Sequence, residues 1–520
     1  MPSTRRVSAL LLLATLPLAA CAASPPEDSA EGGAWERRAS AATPETEDAL
    51  REGIDLYLAT RTGQLTFTTD PGERREHLIN AFRLLHFTEQ GDFDTVFILG
   101  DEAFEAELDH ALGLGVGPAP EPGLPARPRR LQRGEVGGLD SSSCRSCHFS
   151  GGADGGGTLT QVALLRGDGV HLSTATVRDS PHVMGLGYIS IVAADLNDEL
   201  QGQLARWRAA AAERQEPVTE DVFAGPLSFG RITVFPDGSV DGSALDGISP
   251  DLLVRPFGHK GRHVTLVEVV DEALQLHHGL QSASRIETFA DDPTTWLGDG
   301  PVDDPDHDGI RDEVTEAQAV LLSSYLSMLG IPEIRPPRDP ELALAWARGR
   351  RLMTDIGCTS CHLAELRFDH YDLAHTAAGS TGLTVELDLL DAGQDPKPRR
   401  LDYGNDDDGR SPSGIPFYPY TDLKRHRMGP ALADPVGEVL PGEVDVVPGD
   451  QWLTRSLWGL ADTAPYLHDG RAPTVHDAIV AHGGDAAPPR DAYLALPARE
   501  QGALRVFLMS LTRSGAILVE

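Results

Sequence analysis

Two short stretches, "CRSCH" (Cys144 to His148) and "CTSCH" (Cys358 to His362), decide how the rest of the chain is read. Each sets two cysteines three apart and a histidine directly after the second. With 18 histidines in 520 residues, chance would place one after both pairs about once in 800, so the histidine belongs to the motif. A zinc ribbon has no use for His148 and His362 in matched places, and neither has a redox dithiol. Covalent c-type haem needs all three groups. Cys144 and Cys147, and again Cys358 and Cys361, would form thioethers with the haem, and His148 and His362 would bind iron as proximal ligands. On one helical turn, positions i, i+3 and i+4 share a face, so the three side chains can meet one macrocycle.

Apart from these four cysteines the chain has only Cys21. It follows Arg5-Arg6 and the apolar run "VSALLLLATLPLAA", too short for a membrane span and of the form of an export signal. Leu18-Ala19-Ala20-Cys21 reads as a lipobox. The expectation is a signal peptide at 1–20, a lipidated Cys21 opening a disordered linker to 44, and a protein held outside the cytoplasm of a bacterial cell, on the periplasmic side at the outer membrane. The lipid is then its only membrane contact. The formal net charge of −35 argues against a nucleic-acid partner, which needs clustered Lys and Arg, and suits a basic protein partner.

Pieces downstream of each site recur in the same order. Val183-Met184-Gly185-Leu186 matches Leu457-Trp458-Gly459-Leu460; "FGHKGRHVTL" (257–266) matches "YLHDGRAPTV" (466–475) as aromatic-x-His-x-Gly-Arg-x-x-Thr. An amphipathic helix follows each and ends in His278-Gly279 or His482-Gly483, and each copy closes on an apolar helix, at 319–329 and 503–511. "PELALAWARGRRLMTDIG" predicts a helix into the second site, with Leu342, Leu344, Ala345, Leu352 and Met353 on its apolar face and Gly357 at its end. The fold class expected is mainly α: two tandem cytochrome c-like haem domains from a duplication, at 45–335 (with an N-terminal region) and 336–515, with long loops and few strands.

The wording of these motifs resembles the bacterial dihaem cytochrome c peroxidase superfamily. "YTDLKRHRMGPALAD", "SLWGLADTAPYLHDGR" and "PFGHKGRHVTL" are similar to its dihaem oxidoreductase, thiol-oxidoreductase-like branch. The resemblance covers most of 140–512 and implies two c-type haems. It further implies a peroxidase-like enzyme, fed by a small cytochrome or cupredoxin and reducing a small oxidant such as hydrogen peroxide. The alternatives are a non-catalytic electron-transfer cytochrome with both irons six-coordinate, and an oxidoreductase acting on thiol or sulfur compounds.

The sixth ligand separates these. For the first haem the leading candidate is His278, with His277 and His259 as rivals; the family has Met-Gly where this chain has His278-Gly279. For the second haem Met428, in the polar loop "HRMGP", competes with His482, and the family loop has the same Met-Gly. Met328, Met353 and Met509 are expected in the core. His259 and His468 are candidates for proton handling in a distal pocket, with Arg262 and Arg471 pairing haem propionates. One further site is suggested by "DDPDHDGIRDE": Asp304, Asp306, Asp308, the Ile310 carbonyl and Asp312 have the spacing of a calcium loop.

Overall fold

A computed structural model describes residues 81–106, 141, 143–149, 155–157, 163–165, 176–278, 280, 282–291, 313–379, 381–399, 414–440 and 446–513. The export segment, Cys21, the linker to 44 and the Asp304–Asp312 loop lie outside the described residues. The described residues belong to one compact unit, Thr66–Glu520.

They contain more helix than strand. The helices are α1 (Ala81–Glu89), α2 (Phe93–Glu105), α3 (Cys144–Cys147), α4 (Leu186–Arg214), α5 (Leu266–His278) and α6 (Ala283–Asp291). They continue with α7 (Glu316–Met328), α8 (Pro340–Asp355), α9 (Val475–Ala481), α10 (Ala487–Ala495) and α11 (Ala498–Leu508). The strands are more numerous than expected, fifteen among the described residues, but short; they pair in ribbons of two or three. The largest ribbon is an antiparallel meander of Val218–Ala224, Leu227–Val234 and Val240–Asp241.

α7 is the axis of the larger core. Every residue of it is buried, as an apolar helix with no polar stripe requires. Its serines are satisfied within the helix: Ser323, Ser324 and Ser327 donate to the carbonyls of Ala319, Val320 and Ser323 at 2.8–2.9 Å. Thr315 and Gln318 close its N-terminus with a reciprocal capping box. α4 begins buried on all sides and then keeps a buried stripe of Leu196, Asn197, Leu200, Leu204 and Ala211, so its second half is a surface helix. A second core gathers α8, α11, Tyr420, Val475 and Tyr493. There Gly349 lets the two helices touch, because a Cβ would run into the Ala503 carbonyl.

The predicted helix into the second CxxCH turn is α8, and Gly357 ends it at φ 89°. Leu352 and Met353 are buried, but Leu342 and Leu344 are exposed. Leu344 is about 200° around the helix from the half-buried Trp346, so the apolar face is narrower than expected. Met509 is also a correction: it caps the end of α11 and is exposed, whereas Met328 and Met353 are core.

The repeated pieces adopt the same local structure. Phe257 and His263 form an antiparallel bridge around one His-x-Gly-Arg turn, and Tyr466 and Ala472 form it around the other. Thr265 and Thr474 each accept a bond from the backbone three residues on, starting α5 and α9. Strand Glu333–Ile334, at the end of the first copy, pairs with Leu511–Thr512, at the end of the second. The cores, however, do not divide at residue 335. Leu366, Phe368, Val385, Leu387, Phe417 and Trp458 all pack in the larger core with α4 and α7. The same interleaving is seen where Gly185 of the first copy packs on Trp458 of the second, with φ 73° and no room for a Cβ.

Candidate haem sites

α3 is a single turn, started by Ser143, whose side chain accepts from the Ser146 N–H. Cys358–Ser360 is a 3-10 turn started by Gly357. Both turns return the histidine N–H to the first cysteine's carbonyl, His148 to Cys144 at 3.1 Å and His362 to Cys358 at 2.9 Å. Thiols and imidazole therefore share a face in each motif. Among the described residues none of the four thiols is in a disulfide. Burial pushes Cys144 up to about 12 and Cys358 up to about 11, the reverse of what a reactive dithiol needs.

Each imidazole is aimed. His148 Nδ1 donates to the Pro181 carbonyl at 2.9 Å, and His362 Nδ1 to the Tyr420 carbonyl at 3.0 Å. A carbonyl only accepts, so the proton is on Nδ1 and Nε2 is left as the ligand atom, the arrangement that orients metal-binding histidines. Burial holds both rings at about 4, so both are neutral at pH 7. Both turns line one cavity of about 580 Å³, walled by Leu266, Val270, Leu322, Leu326, Leu457 and Leu504 among others. Thiols outside any disulfide, neutral Nε2 atoms and apolar walls are the donor set and surroundings that covalent haem requires.

A second histidine accompanies each, buried at 278 and half-buried at 482. His278 donates from Nδ1 to the Ser141 carbonyl at 2.8 Å, and its Nε2 lies 3.7 Å from Cys144 Sγ. His482, following α9, donates from Nδ1 to the Ala478 carbonyl at 2.7 Å. Its ring centre is 6.5 Å from that of His362. Two metal–imidazole bonds of about 2 Å, plus the distance from nitrogen to ring centre on each side, span about 6 Å. Met428 lines the same cavity, with its carbonyl against Gly483.

Residues 401–511 match the family described as "Di-haem oxidoreductase, putative peroxidase". The chain resembles the di-haem oxidoreductases. A solved structure, "Crystal structure of a MauG-like protein associated with microbial copper homeostasis", is similar at 17% identity and a TM-score of 0.25, over 64% of this chain and 89% of that one. No curated protein matches.

The segment matched to the di-haem family supplies His468, Arg471 and His482. Both His-x-Gly-Arg histidines line the cavity. Burial pushes His259 well below its ordinary value and His468 down to about 4. The arginines are engaged elsewhere. Arg262 bonds Glu272 at 2.7 Å and the Val439 carbonyl at 2.7 Å; Arg471 bonds Asp469 at 2.6 Å and the Ala431 carbonyl at 2.8 Å. They brace the turns that hold His259 and His468.

Four groups escaped sequence reasoning. His182 is half-buried in the cavity wall, with its Nδ1 buried and without a hydrogen-bond partner among the described residues. Trp452 stacks on His468, ring centres 3.8 Å apart and 13° from parallel, and has the Lys260 ammonium 3.5 Å from its centre. Arg178 and Lys260 share the buried carboxylate of Asp434. Arg455 reaches the cavity from the second copy. Only the placement of Trp452 and Arg455 close before the "LWGL" piece was a signal the sequence offered.

Proposed function

We propose that the chain is an exported di-haem c-type oxidoreductase of peroxidase type, passing electrons between two covalently held haems to a small oxidant such as hydrogen peroxide. The observation that carries it is the pair of CxxCH turns opening into one buried cavity, each with a neutral Nε2 fixed by a carbonyl behind it. When bound, haem iron supplies one-electron redox chemistry at potentials set by its axial ligands and surroundings. The chain's own residues fix the iron from the proximal side through His148 and His362. The cavity wall around them is largely apolar. His259 and His468, neutral at pH 7, are placed in that wall to take or give a proton. Reducing equivalents would come from a small basic carrier protein of cytochrome or cupredoxin type drawn to the chain's negative charge, with the protein anchored in the bacterial envelope through lipid on Cys21.

His278 and His482 favour a second reading, an electron-transfer cytochrome whose irons both keep six ligands. The test is spectroscopic. The purified chain is scored for two covalent haems by pyridine haemochrome, then titrated redox-wise with cyanide, CO and peroxide added in each state. A ligand-accessible haem in at least one state, turned over by peroxide, supports the enzyme. Two low-spin haems inert in every state leave the cytochrome.

A further inference from the structure

A cation that lines a cavity without a counter-charge marks a place where the folded chain favours an anion. Arg455 is such a group. It stands between Trp452 and Trp458 in the sequence, is half-buried on the wall of the shared cavity, and makes one long bond, 3.5 Å from Nη1 to the Gly258 carbonyl. Among the described residues no carboxylate pairs with it. The other arginines of this region are paired: Arg178 with Asp434, Arg255 with Asp251, Arg262 with Glu272, Arg471 with Asp469. Burial alone acts on Arg455 and pushes it down to about 10.

Its position is as informative as its isolation. Arg455 belongs to the second copy, yet its charge bears on His148, the proximal residue of the first CxxCH turn, and on His182 and His259. A c-type haem pinned at one edge by Cys144 and Cys147 and at its iron by His148 has its two carboxylates on another edge, and those carboxylates need a partner once buried. A guanidinium presents a planar fork that fits a carboxylate through two parallel bonds. Arg262 and Arg471 already bond protein acceptors.

We infer that Arg455 binds a propionate of the haem attached at Cys144 and Cys147, so that the second copy of the repeat sets the charge balance of the first copy's haem. The inference rests on the two-haem reading. Fewer than two haems on the parent chain would fail that reading; two haems with no response at Arg455 would fail this one alone.

The experiment is a potentiometric titration of the parent, R455Q and R455K, with haem counted in each. Signals are assigned from a C144A/C147A form that keeps only the second covalent haem. A cation beside a propionate favours the reduced haem, so R455Q should lower the first haem's reduction constant by tenfold or more, about 59 mV for one electron. R455K should recover most of that loss, and the second haem should move less. An unmoved first haem, or a larger shift in the second, overturns the inference. A measurement on the parent decides even if R455Q loads haem poorly. Acetate added to the parent should leave both potentials unchanged if a propionate fills the site. A saturable acetate shift, lost in R455K or R455Q, would mean that Arg455 takes a free carboxylate and would overturn it.

Discussion

Asp434→Asn removes the one carboxylate that two buried cations share. Asp434 accepts from Arg178 through bonds of 3.1 and 2.6 Å and lies 3.3 Å from the Lys260 ammonium. The three side chains are 6%, 9% and 0% exposed in that order. An amide keeps the shape but not the charge, and removing one partner of a buried pair costs about 3–5 kcal/mol. For a unit the size of Thr66–Glu520, at about 2.1 cal/mol/K per residue, the unfolding entropy is about 1 kcal/mol/K, so the midpoint should fall by about 3–5 °C. Calorimetry at pH 7 measures it. The pH dependence has a definite sign. Burial pushes Lys260 down to about 8 in spite of Asp434, so its charged form is the one the fold disfavours, and deprotonation relieves the cost. The deficit of D434N should therefore shrink as pH rises through about 8, where the parent's Lys260 also gives up its proton. In a K260M background D434N should cost less than in the parent, the coupling expected of groups in contact. A D434N midpoint within about 1 °C of the parent at pH 7 would refute the reasoning.

Three further outcomes follow from the same geometry. His482→Ala should convert one haem equivalent per chain from low-spin to high-spin and open it to CO, while Met428→Ala should leave the spectra unchanged; paramagnetic resonance with spin quantitation distinguishes them, and the opposite pattern would return the ligand to Met428. Gly185→Ala, which forces a side chain into Trp458 at φ 73°, should cost about 1–3 kcal/mol, read from the same melts. For Glu272, burial pushes the carboxyl up, but His263 and Arg262 outweigh it and hold it well below the usual range. A depressed acid stabilises the fold above its unfolded value, about 4.3, and that contribution is lost as pH falls below it. Glu272→Gln should therefore cost about 3 kcal/mol at pH 7 and progressively less below pH 4, as melts across that range would register.

What the sequence made legible was local or covalent. A CxxCH turn fixes two thiols and an imidazole within five residues, and a His-x-Gly-Arg turn closes its own bridge, so both survive as patterns in the chain; the paired bridges at 257–263 and 466–472 are alike because their residues are alike. What stayed hidden depends on groups far apart in sequence. Arg262 bonds the Val439 carbonyl and Arg471 the Ala431 carbonyl, partners that lie outside their motifs and meet them only in the folded chain. The Arg178–Asp434 pair joins residues of the two copies, and the Trp458 side chain belongs to a core built mostly from the first. A duplication predicts two copies of each part; it does not predict that the copies exchange them. That exchange is why a domain boundary at 335 fits the repeat and yet does not fit the packing. On the proposed reading, a haem whose thioethers and proximal histidine came from one copy, and whose partner cation came from the other, would have a potential that neither copy sets alone.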